Sequence, residues 1–300
     1  MDAKIRYNHI YTPFQLDGEV MTPGIDIVGR VVKSGDIATV HHGIYTNDRV
    51  ASLVGCGGNS TYISLNAADI VRVPTLVSCS SASIVIESYL PAYQALLSGM
   101  QEPEKINMSC LQNKNILIFG GISTVGQAMI ELSLLFGAKQ VYTTAISKHH
   151  KLLKSFGAIP LETDSRIWTP EIQNSIDIAV EPSCDEPDKN SLEVIKTDGI
   201  LVCFGRGKNA TGTVGLMSRL FSSRPKERFK KYEYNVFDAW KQDIETSKSD
   251  LSYLFGLLKS ERIEPQLAAT LKLNKVQNAH THLNGNRRIQ GTFVCLPSLE

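Results

Sequence analysis

The chain has 300 residues, of which 42% are hydrophobic and 20% are charged, and its formal net charge is +1. This length suffices for about two domains with substantial cores. The balanced charge gives neither a basic footprint for nucleic acid nor an acidic solvating composition. No run reaches the ~18 apolar residues of a membrane span, and the polar start lacks the apolar core of a signal peptide. We therefore expect a cytoplasmic protein with no nucleic-acid or membrane partner.

The six cysteines are scattered along the chain without paired spacing. In a chain of this size, that pattern predicts reduced thiols of an intracellular protein rather than a disulfide framework. Each cysteine is expected to be a small core or surface residue and not a nucleophile.

The first 78 residues are predicted to be rich in β-strands. Strands are indicated at Ile25 to Val32, from the Asp48 turn to Leu53, at Thr61 to Ser64 and at Ile70 to Val73. Short strands with closely spaced turn signals predict a small barrel-like β domain. A helix is predicted over Tyr89 to Leu97, because Pro91 suits a first helical turn.

The stretch from Asn115 to Ala138 predicts a buried strand, a tight glycine turn and a helix that Gly137 ends. This is the first half of a dinucleotide-binding βαβ unit. A helix N-terminus has unpaired N–H groups and a partial positive charge, so a pyrophosphate can bind there. A Gly-rich strand–helix turn of any other α/β protein is the alternative interpretation.

Strands and helices then alternate as far as residue 235. Further strands are predicted at Gln140 to Ala145, Ser175 to Glu181 and Ile200 to Phe204, and helices at Lys148 to Phe156 and Ser191 to Lys196. This alternation predicts a parallel, doubly wound sheet. The charge-dense residues 226–231 are expected to form a solvated face or loop.

The tail begins with a helix on which Leu251, Leu254, Phe255 and Leu258 share one face. A strand over Gln266 to Leu271, a helix over Val276 to Leu283 and a last strand over Ile289 to Leu296 are predicted to follow.

Several segments together resemble the medium-chain dehydrogenase/reductase superfamily, and specifically its zinc-free quinone oxidoreductase-like branch. They are PGIDIVGRV from Pro23, Asp48-Arg49-Val50, AYQALL from Ala92, the glycine-turn stretch and AHTHL from Ala279. The resemblance implies a truncated GroES-like β-barrel domain over residues 1–95. It also implies a Rossmann cofactor domain over 96–235 and a segment over 236–300 that returns to the first domain. We expect the first two or three strands of the family's first domain to have no counterpart here, either because the gene product is truncated or because the N-terminus has diverged.

NADPH is the predicted cofactor. NAD-preferring sites usually place an acidic residue after the second strand, whereas this chain has Thr143 to Lys148 there, followed by Lys151. Hydroxyl and ammonium groups could hold a 2′-phosphate, although both lysines could equally be ordinary exposed residues. The predicted cofactor-binding residues are Gly120, Gly121, Ser123, Thr124, Val125, Gly126, Ser147, Lys148, Lys151 and Gly205. Ser123 and Thr124 replace the usual Gly-Gly of this branch and are expected to narrow the room beside the pyrophosphate.

No zinc site is expected. Zinc-dependent relatives carry Gly-His-Glu where this chain has Gly24-Ile25-Asp26, and isoleucine cannot ligate a metal. His41, His42, His280 and His282 have no matching ligand spacing and are expected at the surface or in caps. His149 and His150 are expected to face solvent.

The implied chemistry is hydride transfer to a quinone or an α,β-unsaturated carbonyl, with the protein supplying orientation and a proton source or hydrogen-bond donor. In the family, a tyrosine after an Asn-Pro-x-Asp motif lies by the nicotinamide. Asp2 matches that aspartate, and Tyr11 is the corresponding catalytic candidate, with Tyr7 as its neighbour; a tyrosine that only packs on the β domain is the alternative. Glu87 is expected to be a surface charge, and a perturbed carboxylate beside the cofactor is the alternative. A non-catalytic nucleotide-binding relative is the competing function, and a homodimer is expected because family members often dimerise.

Overall fold

The computed structural model describes residues 22–98, 109–182, 192–204, 229–284 and 291–297, with side chains omitted at 282–284. These residues form two compact units. The first unit comprises the described parts of Met1–Leu90 and Phe237–Glu300, and the second comprises those of Pro91–Val236.

The first unit opens with a three-stranded antiparallel sheet in the order β1 (Asp26–Arg30), β2 (Arg49–Leu53) and β3 (Val71–Arg72). A helix that the sequence did not predict, α1 (Asp36–His42), joins the first two strands. The Asp48 turn begins with Asn47 at φ +75°, a left-handed conformation that glycine adopts freely and asparagine tolerates better than most residues. The strand predicted at Thr61 to Ser64 is wrong, because these residues form an irregular loop.

The helical segment after this sheet is longer than predicted. It runs through α2 (Cys79–Ile84), a π-helical turn (Val85–Tyr89) and α3 (Leu90–Leu97). Pro91 therefore lies inside a helical segment that starts at Cys79, and not in its first turn. Proline has no N–H and its ring crowds the carbonyl four residues earlier, which here belongs to Glu87. The wider π-helical turn immediately before Pro91 relieves that crowding.

The second unit is built on a six-stranded, entirely parallel sheet, as predicted. Its spatial order is β6-β5-β4-β7-β8-β9, which is the order of a doubly wound dinucleotide-binding sheet. The strands are β4 (Asn115–Phe119), β5 (Gln140–Thr144), β6 (Ile159–Leu161), β7 (Ile176–Glu181), β8 (Ile195–Phe204) and β9 (Lys230–Tyr234).

The helices of this unit are α4 (Thr124–Leu135), α5 (His150–Ser155) and α6 (Ser165–Ile172). Strand β6 and helix α6 were not anticipated from the sequence. The helix predicted through Lys196 is wrong at its end, since β8 already begins at Ile195. Lys230 and Lys231 are exposed as expected, but they belong to strand β9 and not to a loop.

Both faces of the central strand β4 are buried, which requires helices on both sides of the sheet. Leu117 belongs to one apolar cluster with Trp168 and Ile172 of α6. Successive strand side chains point to opposite faces, so Ile116 and Ile118 lie on the other face, and both are buried. Helix α4 contacts β4, and its Ile130 and Leu132 are fully buried.

The C-terminal segment contains α7 (Val236–Gln242), α8 (Ile244–Lys259), β10 (Leu267–Leu271), α9 (Val276–Asn284) and β11 (Thr292–Cys295). Strands β10 and β11 pair in parallel. On α8, Leu251, Leu254 and Phe255 are buried as predicted, whereas Leu258 is only half-buried. Within the described residues, no helix is both long enough and apolar enough to cross a membrane.

Candidate dinucleotide-binding site

The turn between β4 and α4 brings the helix unusually close to the strand. Gly120 has φ +77°, which favours glycine. A Cβ added at Gly126 would lie 2.7 Å from both the Gly120 carbonyl oxygen and the Gly121 Cα. A Cβ added at Gly120 would meet nothing within 4 Å, so the space beside this turn is open. Glycine at position 126 thus allows the close approach of helix and turn that the sequence predicted.

Ser123 caps helix α4. Its Oγ accepts a hydrogen bond from the Gly126 N–H at 3.0 Å and donates one to the Gly120 carbonyl oxygen at 3.0 Å. The hydroxyl is thereby held against the backbone of its own turn, which is a common role of serine at an N-cap. The Gly126 N–H therefore already has an acceptor in Ser123 and is not available to a bound anion.

Two backbone donors remain at the start of α4. Among the described residues, the N–H groups of Thr124 and Val125 have no acceptor. They belong to the first helical turn, where the helix dipole also places a partial positive charge. Open space beside Gly120, free N–H groups and a helix N-terminus fit the pyrophosphate of a dinucleotide.

Two threonine hydroxyls on β5 hold the turn from the neighbouring strand. The Gly121 N–H donates to Thr143 Oγ1 at 2.9 Å, and the Gly120 N–H donates to Thr144 Oγ1 at 3.1 Å. Thr143 Oγ1 in turn donates to the Ile118 carbonyl oxygen at 2.8 Å. From the sequence, these hydroxyls were expected to be able to hold a 2′-phosphate. Their structural role was missed, although two polar residues ending a buried strand were a usable signal.

Gln127 also braces the turn and was not identified from the sequence. Its side chain is only 9% exposed, and its Nε2 donates to the Ile122 carbonyl oxygen at 2.9 Å. Its buried Oε1 has no hydrogen-bond partner within the described part of the chain. The glutamine amide therefore holds the middle of the loop at the cost of one unsatisfied acceptor.

The loop after β5 carries the residues predicted to hold a 2′-phosphate. Ser147, Lys148 and Lys151 are all exposed. Ser147 Oγ, however, donates to Glu162 Oε1 at 2.9 Å. A carboxylate thus lies beside the loop that was predicted to be free of acidic groups. Glu162 follows β6 and is separated from Ser147 by 15 positions, so only the fold brings them together.

The prediction that His149 and His150 face solvent is wrong, since both are half-buried. His150 is 21% exposed, and its Nε2 lies 3.0 Å from the Ala145 carbonyl oxygen and 3.8 Å from Glu162 Oε1. The ring thus lies beside the residue that follows β5.

Glu87 is not the surface charge that was expected. It is half-buried in the π-helical turn, and its Oε2 accepts from Ser88 Oγ at 2.6 Å and lies 3.5 Å from Thr292 Oγ1. Another carboxylate, Glu181, is buried at the carboxyl end of β7, level with Phe119 of β4. The predicted residues Tyr11 and Gly205, together with Asp2 and Tyr7, lie outside the described residues.

In the described part of the chain, no three His, Cys, Asp or Glu side chains are arranged to hold a metal ion. Ile25, which stands in place of a zinc ligand of relatives, is 4% exposed and belongs to the apolar core. His41 and His42 are exposed as expected. His280 is 5% exposed, so its predicted surface position is wrong; His282 is not among the described side chains.

Comparison with known proteins gives relatives over about half of the chain. No family model matches. The lovastatin diketide synthase lovF of Aspergillus terreus is 30% identical over 149 residues, which cover 49% of this chain and 6% of that protein. The trans-enoyl reductase xenG of Xenoacremonium sinensis is 27% identical over 169 residues, 52% of this chain and 45% of that protein. The chain thus spans less than half the length of either relative.

Solved structures match almost the whole chain. A mycobacterial quinone oxidoreductase has a TM-score of 0.76 at 20% identity, covering 99% of this chain and 87% of its own. Other matches of this fold include an enoyl reductase and a mycobacterial protein complexed with NADPH. The predicted fold class, a Rossmann sheet with a GroES-like β domain, is confirmed. The chain thus shares its fold with quinone oxidoreductases, and over about half of its length its sequence is similar to trans-enoyl reductases.

Proposed function

We propose that this chain is an NADPH-dependent oxidoreductase that transfers hydride, without zinc, to an α,β-unsaturated carbonyl or a quinone. The observation that carries the proposal is the β4–α4 turn, whose open glycine surface and free Thr124 and Val125 N–H groups fit a pyrophosphate. The similarity to trans-enoyl reductases and quinone oxidoreductases supports the class of reaction. The substrate class is proposed as well, because the sequence similarity to these relatives covers only about half of the chain.

In this proposal the turn binds and orients the cofactor, and the bound nicotinamide supplies the hydride. Gly120 gives the pyrophosphate room, while the Thr124 and Val125 N–H groups donate to it. Thr143, Thr144 and Gln127 hold the turn in the conformation that aims those donors outward. The buried position of Ile25 supports the zinc-free assignment, since an apolar core residue replaces a ligand.

The preference for NADPH rests on the loop that follows β5. Residues 145–151 contain no acidic side chain, and Lys148 and Lys151 are exposed cations on that loop. Ammonium groups beside a phosphate form charge-assisted hydrogen bonds, which are about twice as strong as neutral ones. The two lysines therefore favour a cofactor with a 2′-phosphate.

We expect the double variant Lys148→Ala, Lys151→Ala to lose much of the preference for NADPH over NADH. Fluorescence titration of each nucleotide measures both dissociation constants. Each lost phosphate contact corresponds to roughly tenfold in affinity, so the NADPH constant should rise about 10- to 100-fold while the NADH constant stays nearly unchanged. Lys139→Ala is the matched control, because this exposed lysine precedes β5 and lies at the opposite edge of the sheet. Equal wild-type affinities for the two nucleotides would contradict the proposal.

Turnover separates the enzyme from a non-catalytic nucleotide-binding relative. NADPH oxidation is followed at the nicotinamide absorbance with a panel of quinones and enones. Consumption of NADPH that depends on one of these acceptors supports the oxidoreductase. Tight NADPH binding without turnover on the whole panel would favour the non-catalytic alternative.

A further inference from the structure

Glu162 is placed beside the predicted 2′-phosphate site by strand pairing. Thr144 of β5 pairs with Leu161 of β6, and the Ala145 N–H donates to the Leu161 carbonyl oxygen at 2.9 Å. The two strands are parallel, so the residues after them leave the same edge of the sheet side by side. Glu162 is the first residue after β6, and Ser147 follows β5 by three positions.

The Glu162 carboxylate is fixed in this position by specific contacts. Its Oε1 accepts the Ser147 hydroxyl at 2.9 Å and lies 3.8 Å from His150 Nε2. The side chain remains 37% exposed, so it is anchored on one side and accessible to a ligand on the other. Lys148 and Lys151 are exposed on the neighbouring loop, with no ion pair to Glu162 among the described residues.

Ser147 cannot serve Glu162 and a phosphate at once. A serine hydroxyl has one proton to donate, and here it is donated to the carboxylate. A 2′-phosphate on the same loop would also meet the like charge of Glu162. A ribose 2′-hydroxyl, in contrast, could donate to that carboxylate, as it does to the acidic residue that commonly follows the second strand of NAD-binding sheets.

We propose that Glu162 is a specificity-determining residue that lowers the preference of this site for NADPH. This inference rests on the proposed nucleotide-binding function. Lys148 and Lys151 attract the 2′-phosphate, and Glu162 opposes them from the adjacent strand. The selectivity of the site is then set by two loops, and the acidic residue comes from the third strand of the sheet and not the second.

The test is the Glu162→Gln variant, which keeps the shape and an acceptor for Ser147 but removes the charge. NADPH, NADH, 2′,5′-ADP and 5′-AMP are titrated against the variant and the unaltered chain by calorimetry. The two adenosine phosphates report on the 2′-phosphate without a nicotinamide. We expect the variant to bind NADPH and 2′,5′-ADP about tenfold more tightly, with NADH and 5′-AMP unchanged or weaker, because one repulsive charge is lost.

The matched control is Glu171→Gln. Glu171 is an exposed glutamate near the end of α6, a helix that runs back toward the opposite edge of the sheet. This variant removes the same charge from the same unit, so it corrects for a general change in net charge, and its affinities should equal those of the unaltered chain. Thermal unfolding of both variants verifies that each is folded.

Three outcomes are distinguishable. A selective gain for the 2′-phosphorylated ligands in Glu162→Gln alone supports the inference. If all four ligands bind but their affinity ratios are the same in the variant and the unaltered chain, the inference is wrong and the nucleotide-binding function stands. If none of the four ligands binds either protein, both the inference and the proposed function are wrong.

Discussion

The absence of a side chain at Gly126 determines how closely the start of α4 can approach the glycine turn. The residue lies in the first turn of α4. A methyl group there would contact the Gly120 carbonyl oxygen and the Gly121 Cα at 2.7 Å, both of which are backbone atoms that cannot rotate away. The helix would have to move, and the N–H groups of Thr124 and Val125 would move with it.

We therefore expect Gly126→Ala to weaken NADPH binding at least tenfold and to destabilise the fold. Overpacking costs roughly 1–3 kcal/mol, which exceeds the up to ~1 kcal/mol that alanine gains over glycine in a helix. Urea unfolding and fluorescence titration measure the two effects. Gly256→Ala is the control, because a methyl group at that helical position meets nothing within 4 Å. It should stabilise the protein by about 0.5–1 kcal/mol without changing NADPH affinity.

At the level of single elements, helix α6 depends on the residue that caps it. Asp164 Oδ1 accepts from the Arg166 N–H at 3.1 Å and from Arg166 Nε at 2.9 Å, while Oδ2 accepts from Nη2 at 2.7 Å. These hydrogen bonds, with the side-chain bonds of Arg166 as the largest cause, lower the pKa of Asp164 below its ordinary value. The helix supplies Trp168 and Ile172 to the core, so its cap matters for the whole sheet.

The cap predicts a stability difference that depends on pH. A carboxyl group with a lowered folded-state pKa stabilises the fold above its unfolded pKa, and this contribution is lost as the pH falls through the folded pKa. Asp164→Ala should therefore have a lower urea midpoint than the unaltered chain at neutral pH. The gap should close as the pH falls below the ordinary aspartate range. A gap that persisted at strongly acidic pH would contradict this role. Glu171→Ala, which removes an exposed carboxylate from the same helix away from its cap, controls for net charge.

At the scale of the whole molecule, the chain divides into two units. The parallel sheet of the second unit carries the β4–α4 turn at its carboxyl edge, where ligands of open α/β sheets bind. The first unit contains the antiparallel β1–β2–β3 sheet and the β10–β11 pair, to which the chain returns after the parallel sheet is complete. Ile25 lies in the core of this first unit at the position of a zinc ligand in relatives.

We expect the purified protein to contain no stoichiometric zinc and to keep its NADPH oxidation rate after dialysis against a chelator. Elemental analysis by mass spectrometry measures the metal content, and the same absorbance assay measures the rate. Ile25→His serves as the comparison, because it restores one ligand type but buries a polar ring in an apolar core. It should lower stability by about 1–3 kcal/mol without creating a zinc site. One zinc ion per unaltered chain would refute the expectation.

Local patterns were sufficient wherever the relevant interactions lie close together along the chain. The apolar run of β4, the glycine turn and the periodic face of α4 were all predicted, because backbone conformation and helix periodicity depend on near neighbours. The prediction of a helix through Lys196 was wrong for the opposite reason. Ile195 pairs with Ile176 of β7, and that tertiary contact overrides a short local preference.

The sequence by itself determined the doubly wound class, the glycine turn at Gly120 and the loop that carries Lys148 and Lys151. Only the tertiary structure decided which side chains meet there. It brings Thr143 into a hydrogen bond with Gly121, 22 positions away in the sequence, and Glu162 into a hydrogen bond with Ser147, 15 positions away. The reason is that parallel pairing aligns the carboxyl ends of strands that are far apart in the chain. The carboxylate beside Ser147 follows β6 in the chain, so the local sequence of the loop after β5 does not reveal it.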